Sequence, residues 1–161
     1  MSDAGLDDLR DLYQDVVMDH GRHPRHAGRL ARIDASASGD NPMCGDKVEV
    51  FLAFDRSGHI AQAGFEARGC AISIASADLM AEVVTGRAPK DARAVFAAFR
   101  EMVRSGQCPA CARAEDQAAL DRLMPLSGVH EYPSRVKCAT LAWHALAAAL
   151  DKAETGTEVS P

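Results

Sequence analysis

Residues 47–67, KVEVFLAFDRSGHIAQAGFEA, place two runs of strand-forming residues on either side of Asp55-Arg56-Ser57-Gly58. A short polar link ending in glycine between two apolar, aromatic and β-branched runs is a hairpin signal, so residues 47–54 and 59–67 are expected to pair antiparallel. A short edge strand is expected over residues 31–39. After Cys70 the apolar period changes: Ile72, Ile74, Leu79, Val83 and Val84 recur at helical spacing, and Gly86 stops the pattern. Upstream, Leu6, Leu9, Leu12, Tyr13, Val16 and Val17 predict a first helix that Gly21 and Pro24 end. Downstream, residues 91–104 and 115–124 are helix candidates. A last helix starts at Pro133-Ser134 and carries Val136, Trp143, Leu146 and Leu150 on one core-facing stripe. The sum is one α+β unit without internal repeats: a small three-stranded antiparallel sheet packed with several helices.

With 161 residues, 47% hydrophobic content and 25% charge, the chain is long enough to bury one core without disulfides. The net charge of -5 argues against a nucleic-acid face, which needs a clustered basic surplus. The longest apolar run, ATLAWHALAAAL at 139–150, is too short to span a membrane, and the acidic amphipathic start has no signal-peptide apolar region. The expectation is a cytoplasmic protein with a protein partner. Residues 20–30, HGRHPRHAGRL, form a polar, basic loop that should stay exposed, and the polar residues 151–161 read as a disordered tail.

Five cysteines in an unsecreted chain point to metal or thiol chemistry before disulfides. Cys44 lies on the loop entering the hairpin, Cys70 where the hairpin meets a helix, and Cys138 in the expected first turn of the last helix. A helix N-terminus lowers a thiol pKa and favours the thiolate, which would prime Cys70 and Cys138. Gly45 lets Cys44 and Asp46 converge on one point, although Cys-Gly-Asp alone does not separate a ligand pair from a turn. Cys108-Pro-Ala-Cys111 is a lone CxxC, open to reading as an incidental thiol pair or as a redox staple.

Three stretches in order, NPMCGD at 41–46, GFEARGCAISIASADLM at 64–80 and YPSRVKCATLAWHAL at 132–146, together with LYQDVVMDHGRHPRHAG at 12–28, resemble the IscU/NifU-type iron-sulfur assembly family. Within that family they resemble specifically the SufU branch. That branch carries an extra segment between the second and third motif cysteines, and here 67 residues separate Cys70 from Cys138, including 88–126. Lys137 stands where IscU-type scaffolds have histidine. The resemblance implies a SufE/NifU-like fold over residues 1–150, followed by the tail at 151–161.

It also implies a site and an activity. Cys44, Asp46, Cys70 and Cys138 match ligands that in SufU-like proteins hold Zn²⁺, and three thiolates with one carboxylate suit tetrahedral zinc. Such a site carries net negative charge, which Arg135 and Lys137, flanking the third cysteine, would offset; a solvated helix start is the alternative for both. The implied function is a zinc-dependent sulfurtransferase: Cys44 accepts persulfide sulfur from a SufS-type cysteine desulfurase and relays it to downstream Suf cluster-assembly proteins. The alternatives are a scaffold holding a nascent [2Fe-2S] cluster on the same ligands and a module that acts on the desulfurase by contact alone.

Overall fold

The structure, a computed structural model, describes residues 3–43, 45–107 and 113–155; of residues 3–10 and 155 it describes the backbone alone. Helix α1 (Asp3–Arg22) is followed by strands β1 (Ala35–Asn41), β2 (Asp46–Phe54) and β3 (Ile60–Arg68). Then come α2 (Ala71–Val84), α3 (Pro89–Ser105), a 3-10 turn (Ala114–Asp116), α4 (Gln117–Leu123), a 3-10 helix (Met124–Glu131) and α5 (Pro133–Thr155). The sheet order is β1-β2-β3, antiparallel throughout, which is the α+β arrangement expected from the strand and helix periods.

Alternation decides which sheet face meets the helices. Ala35 pairs with Leu52 and Ala37 with Val50, while Val50 pairs with Phe65 and Leu52 with Ala63. All six side chains are buried in the main core together with residues of α2 and α5. Gly39, in the same row of β1, lies under α5: a Cβ there would stand 3.2 Å from Leu141 Cδ1 and 3.8 Å from Ala145 Cβ. The last residue of that row is Asn41, paired with Asp46, the first residue of β2. The free edge of β3 is covered by the chain after α1, where Gly28 N–H donates to the Phe65 carbonyl at 2.7 Å.

The stretch 88–126 is built into the core. Ala92, Val95, Phe96, Phe99, Met102 and Val103 recur at three- and four-residue intervals and make the buried stripe of α3, with Pro89 opening the helix and Gly106 closing it. Phe99 and Phe96 stack on Trp143 of α5 with centroids 4.9 and 5.7 Å away. The Trp143 indole N–H donates to Ser76 Oγ at 3.1 Å, tying α5 to α2. Trp143 is thus core, as its spacing with Leu146 and Leu150 indicates. Buried Asp116 receives Arg87 at 3.1 Å and Arg113 at 2.8 Å, linking the start of α3 to the residues before α4.

Two elements depart from expectation. His20 belongs to the last turn of α1, not to an exposed loop, and is only 7% exposed. Its Nδ1 lies 2.5 Å from Asp78 Oδ2 on α2, while Asp78 Oδ1 accepts the backbone N–H groups of Arg25 and His26, each at 2.8 Å. A buried carboxylate needs such partners, and here they fasten the turn after α1 onto α2. Helix α5 also runs to Thr155, beyond Leu150.

Phe99→Ala should remove the ring that carries α3 onto Trp143 and lower unfolding free energy by about 3–5 kcal/mol, the range for a buried aromatic truncation. Urea denaturation followed by tryptophan fluorescence checks this; a loss below about 1 kcal/mol would mean that α3 is not part of the cooperative core.

Candidate metal centre

Three elements deliver one donor each to the same spot. Asp46 opens β2 on its core-facing row, Cys70 is the N-cap of α2, and Cys138 sits in the second turn of α5. The candidate ligand atoms of Asp46, Cys70 and Cys138 all lie within 4.8 Å of one another. Asp46 is 1% exposed, Cys138 is fully buried and Cys70 is partly exposed, so the cluster meets solvent on its Cys70 side. Cys44 lies outside the described residues. The preceding Met43 is 86% exposed, and the following Gly45 has a φ of 74° that suits glycine.

Asp46 is the hub. Its Oδ1 accepts the Cys70 backbone N–H at 3.0 Å, and its Oδ2 accepts the Ser73 hydroxyl at 2.6 Å and lies 3.7 Å from Cys70 Sγ. Burial works against the carboxylate, yet hydrogen bonds from Ser73, Cys138 and Cys70 win and hold the Asp46 carboxyl below its usual range. This close approach requires Gly69 before the cap. Its φ is 148°, and a Cβ there would fall on the Asp46 carboxyl group.

Cys138 corrects one expectation. It is one turn further into α5 than expected, beyond the reach of the N-terminal dipole. Burial first, then its hydrogen bond to Asp46 and the nearby Cys70, push its thiol above the ordinary value. Two thiols and a carboxylate crowded into one desolvated spot resist sharing negative charge, and a divalent cation removes that conflict. The donor set therefore fits Zn²⁺, which takes sulfur and oxygen ligands in tetrahedral sites at about 2.0–2.3 Å. The described donors supply three of the four positions.

Arg135 and Lys137 separate. Both are exposed, but the negative charge of Cys70 and then of Cys138 holds the Arg135 guanidinium above its ordinary value. Among the described residues, no such contact is found for the side chain of Lys137. Ser73 is the participant that sequence reasoning missed; the available signal was a hydroxyl three residues after an N-cap, a spacing that turns it toward the cap. Cys108 and Cys111 lie outside the described residues. Among the described residues, no helix is long and apolar enough to cross a membrane.

Comparison with known proteins agrees with this architecture. The NifU-like N terminal domain matches residues 12–157. The chain is 37% identical to the iron-sulfur cluster assembly scaffold protein IscU of Streptococcus pyogenes serotype M1, over 91% of this chain and 87% of that one. It is 35% identical to the zinc-dependent sulfurtransferase SufU of Bacillus subtilis, over 92% and 95% of the two chains. A crystal structure of a candidate iron-sulfur cluster assembly scaffold protein for the SUF system from Fervidobacterium islandicum superposes with a TM-score of 0.74 at 29% identity, covering 84% of this chain and 94% of that one.

Gly69→Ala is expected to push the Asp46 carboxyl group off the Cys70 N–H and to strain the backbone, lowering both thermal stability and bound metal. Metal analysis with differential scanning calorimetry checks it; unchanged metal content would mean that the Gly69–Asp46 contact does not shape the site.

Proposed function

The chain belongs to the NifU-like N-terminal domain family, and on that premise we propose that it accepts persulfide sulfur at Cys44 from a SufS-type cysteine desulfurase and relays it to iron-sulfur cluster assembly. In this reading Cys44, Asp46, Cys70 and Cys138 hold Zn²⁺. The observation that carries it is the convergence of Asp46, Cys70 and Cys138 from three elements, in a chain similar over nearly its whole length to a protein named as a zinc-dependent sulfurtransferase. When bound, zinc would keep its cysteine ligands deprotonated at neutral pH.

The roles divide by position. Asp46, Cys70 and Cys138 sit on a strand, a helix cap and a helix turn, and the Ser73 and Cys70 N–H hydrogen bonds hold the carboxylate in place. These three keep the site assembled. Cys44, next to strongly exposed Met43, is the thiolate that meets the partner. It attacks the terminal sulfur of the desulfurase persulfide: the donor's S–S bond breaks, its cysteine leaves as thiolate, and a new S–S bond forms at Cys44 with no net redox change. Arg135 offsets the negative charge of the site. Beside Ala71 and Ile72, a groove of about 520 Å³ lined by Tyr13, Val17, Leu126 and Tyr132 offers apolar surface to a protein partner.

A scaffold for a nascent [2Fe-2S] cluster on the same residues is the second reading, favoured by the similarity to the protein named as an IscU scaffold. Lys137 in place of histidine and the segment 88–126 weigh toward sulfur transfer. Protein purified without oxygen decides: about one zinc per chain in a colourless sample supports transfer, whereas iron and visible absorption support the scaffold.

After incubation with desulfurase and cysteine, mass spectrometry should find one added sulfur on the peptide containing Cys44, and none in Cys44→Ala. Sulfur mapped to Cys108 or Cys111 would move the acceptor to that pair; faster desulfurase turnover with no added sulfur would favour action by contact. Cys70→Ser should lose zinc and thermal stability together, because metal binding is part of the folding free energy. The double variant Cys108→Ser, Cys111→Ser should keep both zinc and most transfer; zinc loss there would show that the ligands are wrongly assigned.

A further inference from the structure

Asn41 is the unexplained polar group beside this site. It is 7% exposed, and its side-chain Nδ2 is buried without a hydrogen-bond partner among the described residues. Buried amides are nearly always satisfied, so an orphan donor calls for a reason. The amide cannot simply be turned over. Its Oδ1 accepts the Met43 backbone N–H at 3.2 Å, and that N–H needs an oxygen in that place. The main-chain carbonyl of Asn41 also accepts Gly45 N–H at 2.8 Å, so this one residue brackets the turn on both sides of position 44.

Register says where the orphan lies. Asn41 and Asp46 are directly opposed on β1 and β2, so their side chains share a face, and that face carries the Asp46 carboxylate to Cys70 and Cys138. Gly39, two residues earlier on the same row, lies under Leu141 and Ala145 of α5. Two strand residues advance about 6.8 Å and one helix turn about 5.4 Å. Asn41 therefore stands near the turn of α5 that bears Cys138.

The available acceptors change with the state of the site. Asp46 already accepts Cys70 N–H at Oδ1 and the Ser73 hydroxyl at Oδ2. The sulfurs are different, because a cysteine sulfur bound to a metal is a strong, charged hydrogen-bond acceptor. We propose that Asn41 is a positioning residue of the metal site, its Nδ2 donating to a thiolate sulfur once the site is loaded. The inference rests on the metal-binding part of the proposed function. A donor that has no partner among the described residues and is satisfied by a metal-bound sulfur favours the loaded state selectively, as groups outside the ligand set do in other metal sites.

Two variants test it. Asn41→Asp keeps an oxygen for Met43 N–H but has no donor; Asn41→Leu removes the donor without adding a charge. Each should weaken zinc binding about 10–100-fold in chelator competition, the usual effect of losing an outer partner of a metal ligand. In the Co²⁺-loaded protein the sulfur-to-metal charge-transfer band should move to longer wavelength in both, because a thiolate without its N–H contact gives up its electron more readily. The rise in melting temperature on loading should shrink. A merely structural role would lower loaded and metal-free melting equally and leave the band in place. If the wild type shows that band but both variants keep its position and bind zinc within twofold of wild type, the inference about Asn41 falls and the metal site stands. If the wild type shows no thiolate band, both fall.

Discussion

The carboxylate of Asp46 accepts the backbone N–H of Cys70 and the hydroxyl of Ser73 while lying 1% exposed between a strand and two helices. Much else in the architecture is arranged around that contact. A carboxylate can be buried only with hydrogen-bond partners, and here they come from the first turn of α2. The chain must therefore leave β3 and enter α2 with no side chain at Gly69, since any Cβ there meets the carboxyl group. The sheet register is tied to the same point: Asp46 pairs with Asn41, and a one-residue slip of β2 would turn Asp46 to the opposite face.

Helix α5 supplies the third wall through its packing. It lies across β1 where Gly39 leaves room, and Cys138 reaches the site because Trp143, Leu146 and Leu150 anchor the same helix in the core. Trp143 connects this anchor to α2 through Ser76 and to α3 through Phe96 and Phe99. Ser76 in turn donates to the Ala139 carbonyl, next to Cys138. The segment that distinguishes this chain's resemblance to the SufU branch thus braces the helix that carries a candidate ligand.

Buried polar groups are unevenly distributed through this fold. Asp78 with His20, and Asp116 with Arg87 and Arg113, are satisfied ties between elements. At the candidate centre, burial and the adjacent Asp46 and Cys70 push the Cys138 thiol up, and the Asn41 donor has no partner among the described residues. Structural polar groups are normally paired when the fold is complete. The leftover Asn41 donor and the crowded acids lie together at the site proposed to receive a metal ion, apart from the ties.

Period and punctuation alone determined the hairpin, the helices and the core role of Trp143, because alternation and three-to-four-residue spacing are local consequences of strand and helix geometry. The quoted motifs likewise pointed to Asp46, Cys70 and Cys138 before any coordinates. Tertiary structure decided what depends on distant neighbours. His20 looks like a loop residue until Asp78, 58 positions later, buries it. Cys138 looks primed by a helix start until its depth in α5 and the adjacent acids raise its thiol. The spacing of Ser73 from the cap offers only a local signal and Asn41 offers none, since a hydroxyl or an amide becomes part of a site only when packing sets it beside a particular carboxylate or sulfur. Burial and partner identity are properties of the assembled fold, and no window of sequence contains them.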